Sequence, residues 1–343
     1  MAATREVGLA VVGCGYWGIH HVRVAASRRG ARLVAVCDSD EEALGRASRL
    51  APAARALRSF DEVLADPSID AVVLATPARE HGDQAARALA AGRHVLVEKP
   101  LALAVAEAER VVAAAAAAGR VLAVGHLMLY HPAVMRLRDL LSSGELGQLY
   151  YLYSTRVNLG RLRSDENALW SFAPHDLSMI DFLLDGEVPE SVSARGQSYL
   201  QAGVEDVVFV TLKYGRGQMA HIHLSWLDPR KERRLTLVCS RKMVEFDDVA
   251  GEKLRIYDKG YDRPPAFSQY AEYLTLRQGD IHIPHVPMAE PLALELDHFL
   301  DCIRTGTTPR TDGASGLRCV RVLAAAQASL ERDGAPVRVE AAR

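Results

Sequence analysis

The first 127 residues alternate short apolar runs with helical stretches. The runs are rich in Val, Leu and Ala, which is typical of parallel strands buried on both faces. Helical segments separate them, and this alternation predicts a doubly wound parallel sheet. The predicted strands are residues 8–12, 32–37, 71–75, 94–97 and 121–124, and the predicted helices are residues 20–28, 41–47, 82–91 and 104–118.

After about residue 150 the pattern changes to longer strands with alternating polarity, which predicts an antiparallel or mixed sheet with one covered face. We therefore predict an α/β chain with two domains, residues 1–127 and residues 128–343. The region 261–291 has several prolines and is predicted to be an extended loop or arm. The predicted strands are residues 150–157, 206–214, 218–226, 234–239 and 254–257, and the predicted helices are residues 174–184, 292–304 and 313–331.

Length and charge support this division and exclude one class of function. A chain of 343 residues exceeds the size at which a single core keeps growing, so two domains are expected. Its 41 basic and 43 acidic side chains nearly cancel, without a long run of either sign. A nucleic-acid partner is therefore not expected, and a small-molecule partner is favoured.

The five cysteines form no CxxC pair and are odd in number, which argues against a disulfide framework or a zinc site. No metal is expected, and a reducing cytoplasm fits best. The N-terminus carries Arg5 and Glu6 without a long apolar stretch, so neither a signal peptide nor a membrane anchor is expected.

A GxGxxG turn follows the first predicted strand and precedes a helix, the context that gives this motif its meaning. Its glycines allow a tight turn, and the helix N-terminus offers free N–H groups to a pyrophosphate. Asp38 ends the second strand, where a carboxylate can bind both ribose hydroxyls and would repel the phosphate of NADP. NAD is therefore preferred, and the alternative is a glycine turn with an unrelated Asp. The predicted cofactor residues here are Gly13, Gly15, Tyr16, Trp17, Gly18, Asp38 and Ser39.

Two further strand ends carry candidate chemistry. Lys99 directly follows the strand at residues 94–97, where it would face the nicotinamide and stabilise a developing alkoxide. The alternative is a surface lysine at a strand end. Thr76 and Pro77 follow the preceding strand and are predicted to line the cofactor, although they could form only a turn.

His175 is the candidate base. Pro174 suits the first position of a helix, which would place His175 in the first turn. There the positive end of the helix dipole would keep the ring neutral and able to accept a proton. His175 also shares a helix face with Met179 and Phe182, so a buried core histidine is the alternative. Asp176 lies about 100° around the helix and would complement its N-terminus.

Four polar residues at element ends are weaker candidates for sugar binding. They could equally mark element boundaries without a role in binding. They are His126, Tyr130, Arg156 and Asn158.

Several of these motifs together closely resemble the glucose–fructose oxidoreductase/inositol dehydrogenase/rhizopine catabolism (Gfo/Idh/MocA) family. The resemblance covers essentially the whole chain, and its later motifs look like a branch of sugar dehydrogenases, some of which act on UDP-N-acetylhexosamines at C3. The motifs are the Gly13–Gly18 turn, Val36-Cys37-Asp38, Ala75-Thr76-Pro77 with His81, Glu98-Lys99-Pro100, Gly125-His126, Ser154 to Gly160, Ala173-Pro174-His175-Asp176, Ser225-Trp226-Leu227-Asp228-Pro229 and Thr311-Asp312-Gly313.

The resemblance implies a Rossmann domain followed by a large open mixed sheet that packs against its mate in dimers or tetramers. It makes Lys99 and His175 the expected catalytic pair and adds His81 and Glu98 to the expected cofactor site. This chain departs from the branch at Ser171, where an Asp is usual four residues before the histidine, and at His131, where an Asn is often found. Ser171 therefore joins the expected substrate residues.

The expected function is transfer of hydride between a secondary hydroxyl of a sugar and NAD, the preferred substrate being a nucleotide-linked hexose reacting at C3. The alternatives are a dehydrogenase of inositols or free glycosides, a ketosugar reductase, and a non-catalytic dinucleotide-binding regulator. A homodimer or homotetramer is expected, without nucleic-acid or membrane partners.

Overall fold

The computed structural model describes residues 6–160, 162–163, 166–262 and 274–340. They form two compact units. The first unit contains the chain as far as Tyr130 and the segment Ala289–Val320. The second unit contains His131–Met288 and the chain from Arg321 onward.

Most of the predicted helices are present, with some changed bounds. The described residues also contain α3 and α6, which the sequence did not predict, and a short 3-10 helix at Leu127–Tyr130. No helix in the described part of the chain is long and apolar enough to cross a membrane. The helices are α1 (Gly18–Ser27), α2 (Glu41–Leu50), α3 (Phe60–Ala65), α4 (Ala78–Ala90), α5 (Val105–Ala118), α6 (Pro132–Ser142), α7 (Ala168–Leu183), α8 (Pro291–Thr305) and α9 (Gly313–Leu330).

The first unit is built on a parallel sheet, which confirms the predicted doubly wound fold. Its strand order is β3-β2-β1-β4-β5-β6. The apolar strands are buried on both faces, as their composition predicts; every residue of β1, for example, is buried. The strands are β1 (Val7–Val12), β2 (Ala31–Cys37), β3 (Arg55–Leu57), β4 (Ala71–Leu74), β5 (His94–Glu98) and β6 (Leu122–Gly125).

Helix α8 belongs to the first unit, whereas the sequence analysis placed it in a second domain of residues 128–343. Its apolar stripe, which includes Leu292, Leu296 and Phe299, is buried in one cluster with Leu9 of β1 and Val22 of α1. An apolar stripe at helical spacing shows that a helix is buried but does not show which core covers it. This is why the sequence alone did not assign α8 to the first unit.

The second unit is built on a mixed sheet of order β14-β13-β12-β11-β7-β10-β9-β8-β15, as predicted. Strand β7 is parallel to β10 and antiparallel to β11. The sequence did not predict β8, β12, β14 or β15. The strands are β7 (Leu149–Leu159), β8 (Ser191–Gln197), β9 (Val207–Lys213), β10 (Met219–Ser225), β11 (Leu227–Cys239), β12 (Met243–Asp247), β13 (Leu254–Asp262), β14 (Thr275–His282) and β15 (Val337–Arg338).

The predicted loop over residues 261–291 contains strand β14, which pairs with β13. Residues 263–273 of that region lie outside the described residues. Nearly every residue of β14 is exposed, so the strand has no buried face. Without a buried face there is no apolar alternation for sequence analysis to detect.

Candidate active site

The glycine turn joins β1 to α1 at the carboxyl edge of the first sheet. Gly13 has φ +86°, and a Cβ at Gly18 would lie 1.8 Å from the Gly13 carbonyl oxygen, so both positions require glycine. Helix α1 has no side-chain cap on its N-terminal N–H groups and no acidic residue in its first turn. Its N-terminus therefore keeps the positive field that attracts a pyrophosphate.

The residues of this turn fit a dinucleotide. A Cβ built at Gly15 meets no described atom within 4 Å, which leaves room for a ligand to approach the backbone. Asp38 follows β2, and its Oδ2 accepts a hydrogen bond from the backbone N–H of Cys14 at 2.6 Å. Its Oδ1 accepts from the N–H of Asp40 at 2.9 Å, so the carboxylate is fixed beside the glycine turn. Tyr16 and Ser39 are exposed at the same edge.

Glu98 ends β5 and is the centre of a buried hydrogen-bond network. Its Oε1 accepts from the Trp17 indole N–H and from His21 Nε2, the latter at 2.7 Å. Burial raises the pKa of Glu98, but these donors and the charge of Lys99 outweigh it and leave the pKa below its ordinary value. The ionised carboxylate also accepts from the backbone N–H of Lys99 at 3.2 Å. This bond fixes the start of the turn after β5 that contains Lys99 and Pro100, called the Lys99 turn below.

His126 follows β6 beside this network. Glu98 pairs with Gly125 in the sheet, so Lys99 and His126 leave neighbouring strands at the same level. Burial lowers the pKa of His126 to about 4; Glu98 opposes this shift, and Lys99 adds to it. The buried ring is therefore neutral near pH 7, and neither ring nitrogen has a hydrogen-bond partner among the described residues.

Tyr130 is buried in the first unit. Its hydroxyl lies 3.2 Å from Thr311 Oγ1, and the Arg310 guanidinium lies 4.9 Å from the centre of its ring. Burial raises its pKa, and the charge of Glu295 adds to the shift. These contacts give Tyr130 a packing role in this unit, and its role in sugar binding stays a prediction.

Thr76 and Pro77 form a turn after β4, called the Thr76 turn below, and β4 is the neighbour of β5 in the sheet. Pro77 is the N-cap of α4, and the Thr76 hydroxyl donates to Gln84 Oε1 at 2.7 Å. His81, in the first turns of α4, is buried between this turn and the Lys99 turn. Its Nε2 lies 2.8 Å from the Thr76 carbonyl oxygen, and its Nδ1 lies 2.7 Å from the Pro100 carbonyl oxygen.

His175 is not at a helix start, so the dipole argument made for it from the sequence is wrong. Helix α7 begins at Ala168, where Asn167 Oδ1 accepts from the backbone N–H of Trp170 at 3.1 Å. Pro174 lies inside the helix, and His175 is the eighth helical residue. Because the dipole acts only in the first turn, it does not set the charge of His175. The ring is half-buried.

Asp176 and Arg156 form a buried ion pair that fixes α7 to the second sheet. Arg156 Nε donates to Asp176 Oδ2 at 2.6 Å, and the Ser154 hydroxyl donates to Asp176 Oδ1. Arg156 is 6% exposed and Asp176 is 2% exposed. One prediction is wrong here: Asp176 lies inside α7 and does not complement the helix N-terminus. The Arg156 guanidinium is partly used in this pair, and its contact with sugar stays a prediction.

The remaining predicted substrate residues lie in the same unit. Ser171 is buried on α7 one turn before His175, so the two side chains share a helix face. Asn158 is half-buried near the end of β7. Their contact with substrate stays a prediction.

Sequence reasoning missed His21 and Glu295. His21 stands four residues after Trp17, and this helical spacing was a usable signal that both side chains reach one partner. Glu295 lies on α8 with 1% exposure, and burial, reinforced by the Glu98 charge, raises its pKa well above the ordinary value. Nothing in its local sequence separates it from a surface glutamate. The described residues contain no cluster of side chains suited to a metal ion.

Comparisons with known proteins agree with this geometry. A family described as an oxidoreductase family with an NAD-binding Rossmann fold matches residues 7–126. The GFO/IDH/MocA C-terminal domain matches residues 134–245. The fold and the glycine turn thus define an NAD-binding oxidoreductase, and the chain belongs to the Gfo/Idh/MocA oxidoreductase family.

Three relatives illustrate the range of the family. A solved oxidoreductase structure from Magnetospirillum magnetotacticum MS-1 is 32% identical, with a TM-score of 0.80, and the match covers 93% of this chain and 99% of that one. The UDP-N-acetylglucosamine 3-dehydrogenase of Acidithiobacillus ferrooxidans is 29% identical over 94% of this chain and 98% of its own length. The NAD(+)-dependent scyllo-inositol 2-dehydrogenase of Bacillus subtilis is 27% identical over 98% of each chain.

Proposed function

We propose that the protein oxidises a secondary hydroxyl of a sugar, C3 of a nucleotide-linked hexose, and can run the reaction in reverse. The observation that carries the proposal is the placement of Lys99. It follows β5 at the sheet edge that also carries the glycine turn and Asp38, and its backbone is fixed by the ionised Glu98. In open α/β sheets this edge is where ligands bind.

In the proposed mechanism, NAD supplies the hydride acceptor. The Lys99 ammonium orients the sugar hydroxyl and stabilises the alkoxide that develops on its oxygen. His175 takes the hydroxyl proton and is left protonated, and bound NAD would take the hydride from the same carbon, which becomes a ketone. In reduction the same groups act in reverse. Acid–base help of this kind contributes about 10² to 10⁴ in rate.

The nucleotide-sugar substrate is supported by similarity to the Acidithiobacillus ferrooxidans enzyme. The similarity to the Bacillus subtilis enzyme favours a second candidate, an inositol or free glycoside. Ser171 bears on this choice, because the family resemblance implies a carboxylate at this position. A hydroxyl in its place changes how the sugar or His175 is held.

A substrate panel assayed in both directions tests the proposal. UDP-N-acetylhexosamines, inositols and free glycosides are offered with NAD, and ketosugars with NADH, while absorbance of the reduced nicotinamide is followed. We expect the highest kcat/KM with a UDP-N-acetylhexosamine. A higher value with an inositol would select the second candidate. Tight NAD binding without turnover of any sugar would favour a non-catalytic regulator.

We also propose a homo-oligomer formed through the open face of the second sheet. On β7, buried Leu152 and Ser154 alternate with exposed Tyr151 and Tyr153, whose rings stack at 6.3 Å. Exposed aromatic patches of this kind are typical of interfaces. Light scattering at micromolar concentration should show a dimer or tetramer, and a species of only 37.4 kDa would contradict it.

A further inference from the structure

His81 joins two turns of the first unit through both of its ring nitrogens. Nδ1 lies 2.7 Å from the Pro100 carbonyl oxygen, and Nε2 lies 2.8 Å from the Thr76 carbonyl oxygen. Pro100 follows β5 and Thr76 follows β4, and these strands are neighbours in the parallel sheet. The ring is 1% exposed, so water does not replace either contact.

Both acceptors are carbonyl oxygens, which cannot donate a hydrogen bond. Each contact therefore needs an N–H on the imidazole. A neutral imidazole carries one N–H and presents a lone pair at its other nitrogen. Both contacts are hydrogen bonds together only when each ring nitrogen carries a proton.

Charged groups lie on the elements packed around this ring. Glu80 precedes His81 on α4, and Lys99 precedes Pro100 in the turn that His81 contacts. Across from α4, the Glu107 carboxylate of α5 lies beside Gly82, where a Cβ would come within 2.3 Å of its Cδ.

We infer that His81 is a positioning residue that fixes the spacing between the Thr76 turn and the Lys99 turn by donating one hydrogen bond to each. The inference rests on the proposed roles of Thr76 in cofactor binding and of Lys99 in catalysis. The Thr76 turn is also anchored through its hydroxyl to Gln84, so His81 supplies the link to the neighbouring strand and not the fold of the turn itself.

The test is His81→Gln, whose amide nitrogen can donate to one carbonyl while its own oxygen would face the other. NAD affinity is measured by fluorescence titration, which requires no sugar substrate. We expect the Kd for NAD to rise about tenfold in the variant, as loss of one buried hydrogen bond predicts.

The matched control is His94→Gln, at the opposite end of β5. The His94 ring accepts a hydrogen bond from the Val121 N–H at 3.0 Å, and this end of the strand lies away from the proposed site. The control should lower thermal stability without changing NAD affinity.

Two results would overturn the inference. One is an NAD affinity in His81→Gln that matches the wild type, including the case in which only the melting temperature falls. The other is a wild-type NAD affinity in His81→Asn, whose shorter side chain cannot reach both carbonyl oxygens; this variant decides the matter if His81→Gln does not fold. Failure of the proposed function would give a different result, namely unchanged turnover in Lys99→Ala. The NAD affinity of His81→Gln would still test the link between the two turns, because that measurement needs no turnover.

Discussion

The glycine turn of the first unit and helix α7 of the second unit are held in different ways. The turn is fixed largely by backbone contacts: Gly13 and Gly18 are close-packed, and the Asp38 carboxylate accepts a backbone N–H of the turn. Helix α7 is fixed by side chains, through the buried pair of Asp176 with Arg156. We therefore expect NAD affinity to depend on the backbone conformation of the glycine turn. We expect the stability of α7 to depend on the buried pair of Asp176 with Arg156.

The largest expected effect tests whether both regions serve one reaction. Lys99→Ala and His175→Ala should each lower kcat/KM at least about 10²-fold, because each removes help given in the transition state. The double variant should lose little more than either single variant, since the two groups act together. NAD affinity, titrated alongside, should stay within about twofold of wild type. Additive losses would mean that the two residues act on separate steps.

The next effect is a loss of stability when the buried ion pair that holds α7 is broken. Asp176→Leu leaves the buried Arg156 charge without its partner and should cost about 3–5 kcal/mol of unfolding free energy. Denaturant unfolding measures it. The control is the double variant Arg156→Met with Asp176→Leu, which removes both charges and should recover most of the loss. If the single variant were as stable as the wild type, the ion pair would not hold α7.

A smaller effect concerns cofactor choice in the first unit. Wild type should bind NAD more tightly than NADP, because the proposed contact of Asp38 with the ribose hydroxyls would place its negative charge against a phosphate. Asp38→Ala should weaken NAD binding about tenfold and reduce the preference. Titration of both cofactors into both proteins measures this, and equal wild-type affinities would refute the role of Asp38.

The last effect, which appears only below about pH 6.5, is the acid sensitivity of the first unit. The folded pKa of His126 is about 4 against an ordinary value of 6.5, so the unfolded chain binds the extra proton between these values. The contribution of the neutral His126 ring to the free energy of unfolding is present above about pH 6.5. It is lost as the pH falls towards 4, with a slope of at most about 1.4 kcal/mol per pH unit. His126→Gln should flatten the stability profile in this window; an unchanged slope would show that His126 is not buried neutral.

The sequence predicted the first unit better than the second for a physical reason. Parallel strands buried on both faces and a turn that requires glycine leave local signals, so β1, the turn and Asp38 could be found together. Local signals did not show that Pro174 lies inside its helix and not at the first position. An N-cap at Asn167 and packing from Ala168 onward start α7 earlier, and they override the preference of proline for a first turn.

Contacts between distant residues were the other limit. Arg156 pairs with Asp176 across 20 positions, and Trp17 and His21 reach Glu98 across about 80. No spacing rule predicts such partners. The sequence therefore indicated which residue types carry chemistry, whereas the structure was needed to show that Arg156 holds a helix and that Glu98 fixes the Lys99 turn.

The most direct test of the central claim is single-turnover hydride transfer in NAD-loaded wild type, Lys99→Ala and His175→Ala. A UDP-N-acetylhexosamine is added, and absorbance of the reduced nicotinamide is recorded. We expect rapid reduction in the wild type and rates at least about 10²-fold slower in both variants at equal NAD occupancy. Wild-type rates in the two variants would contradict the proposed catalytic roles of Lys99 and His175.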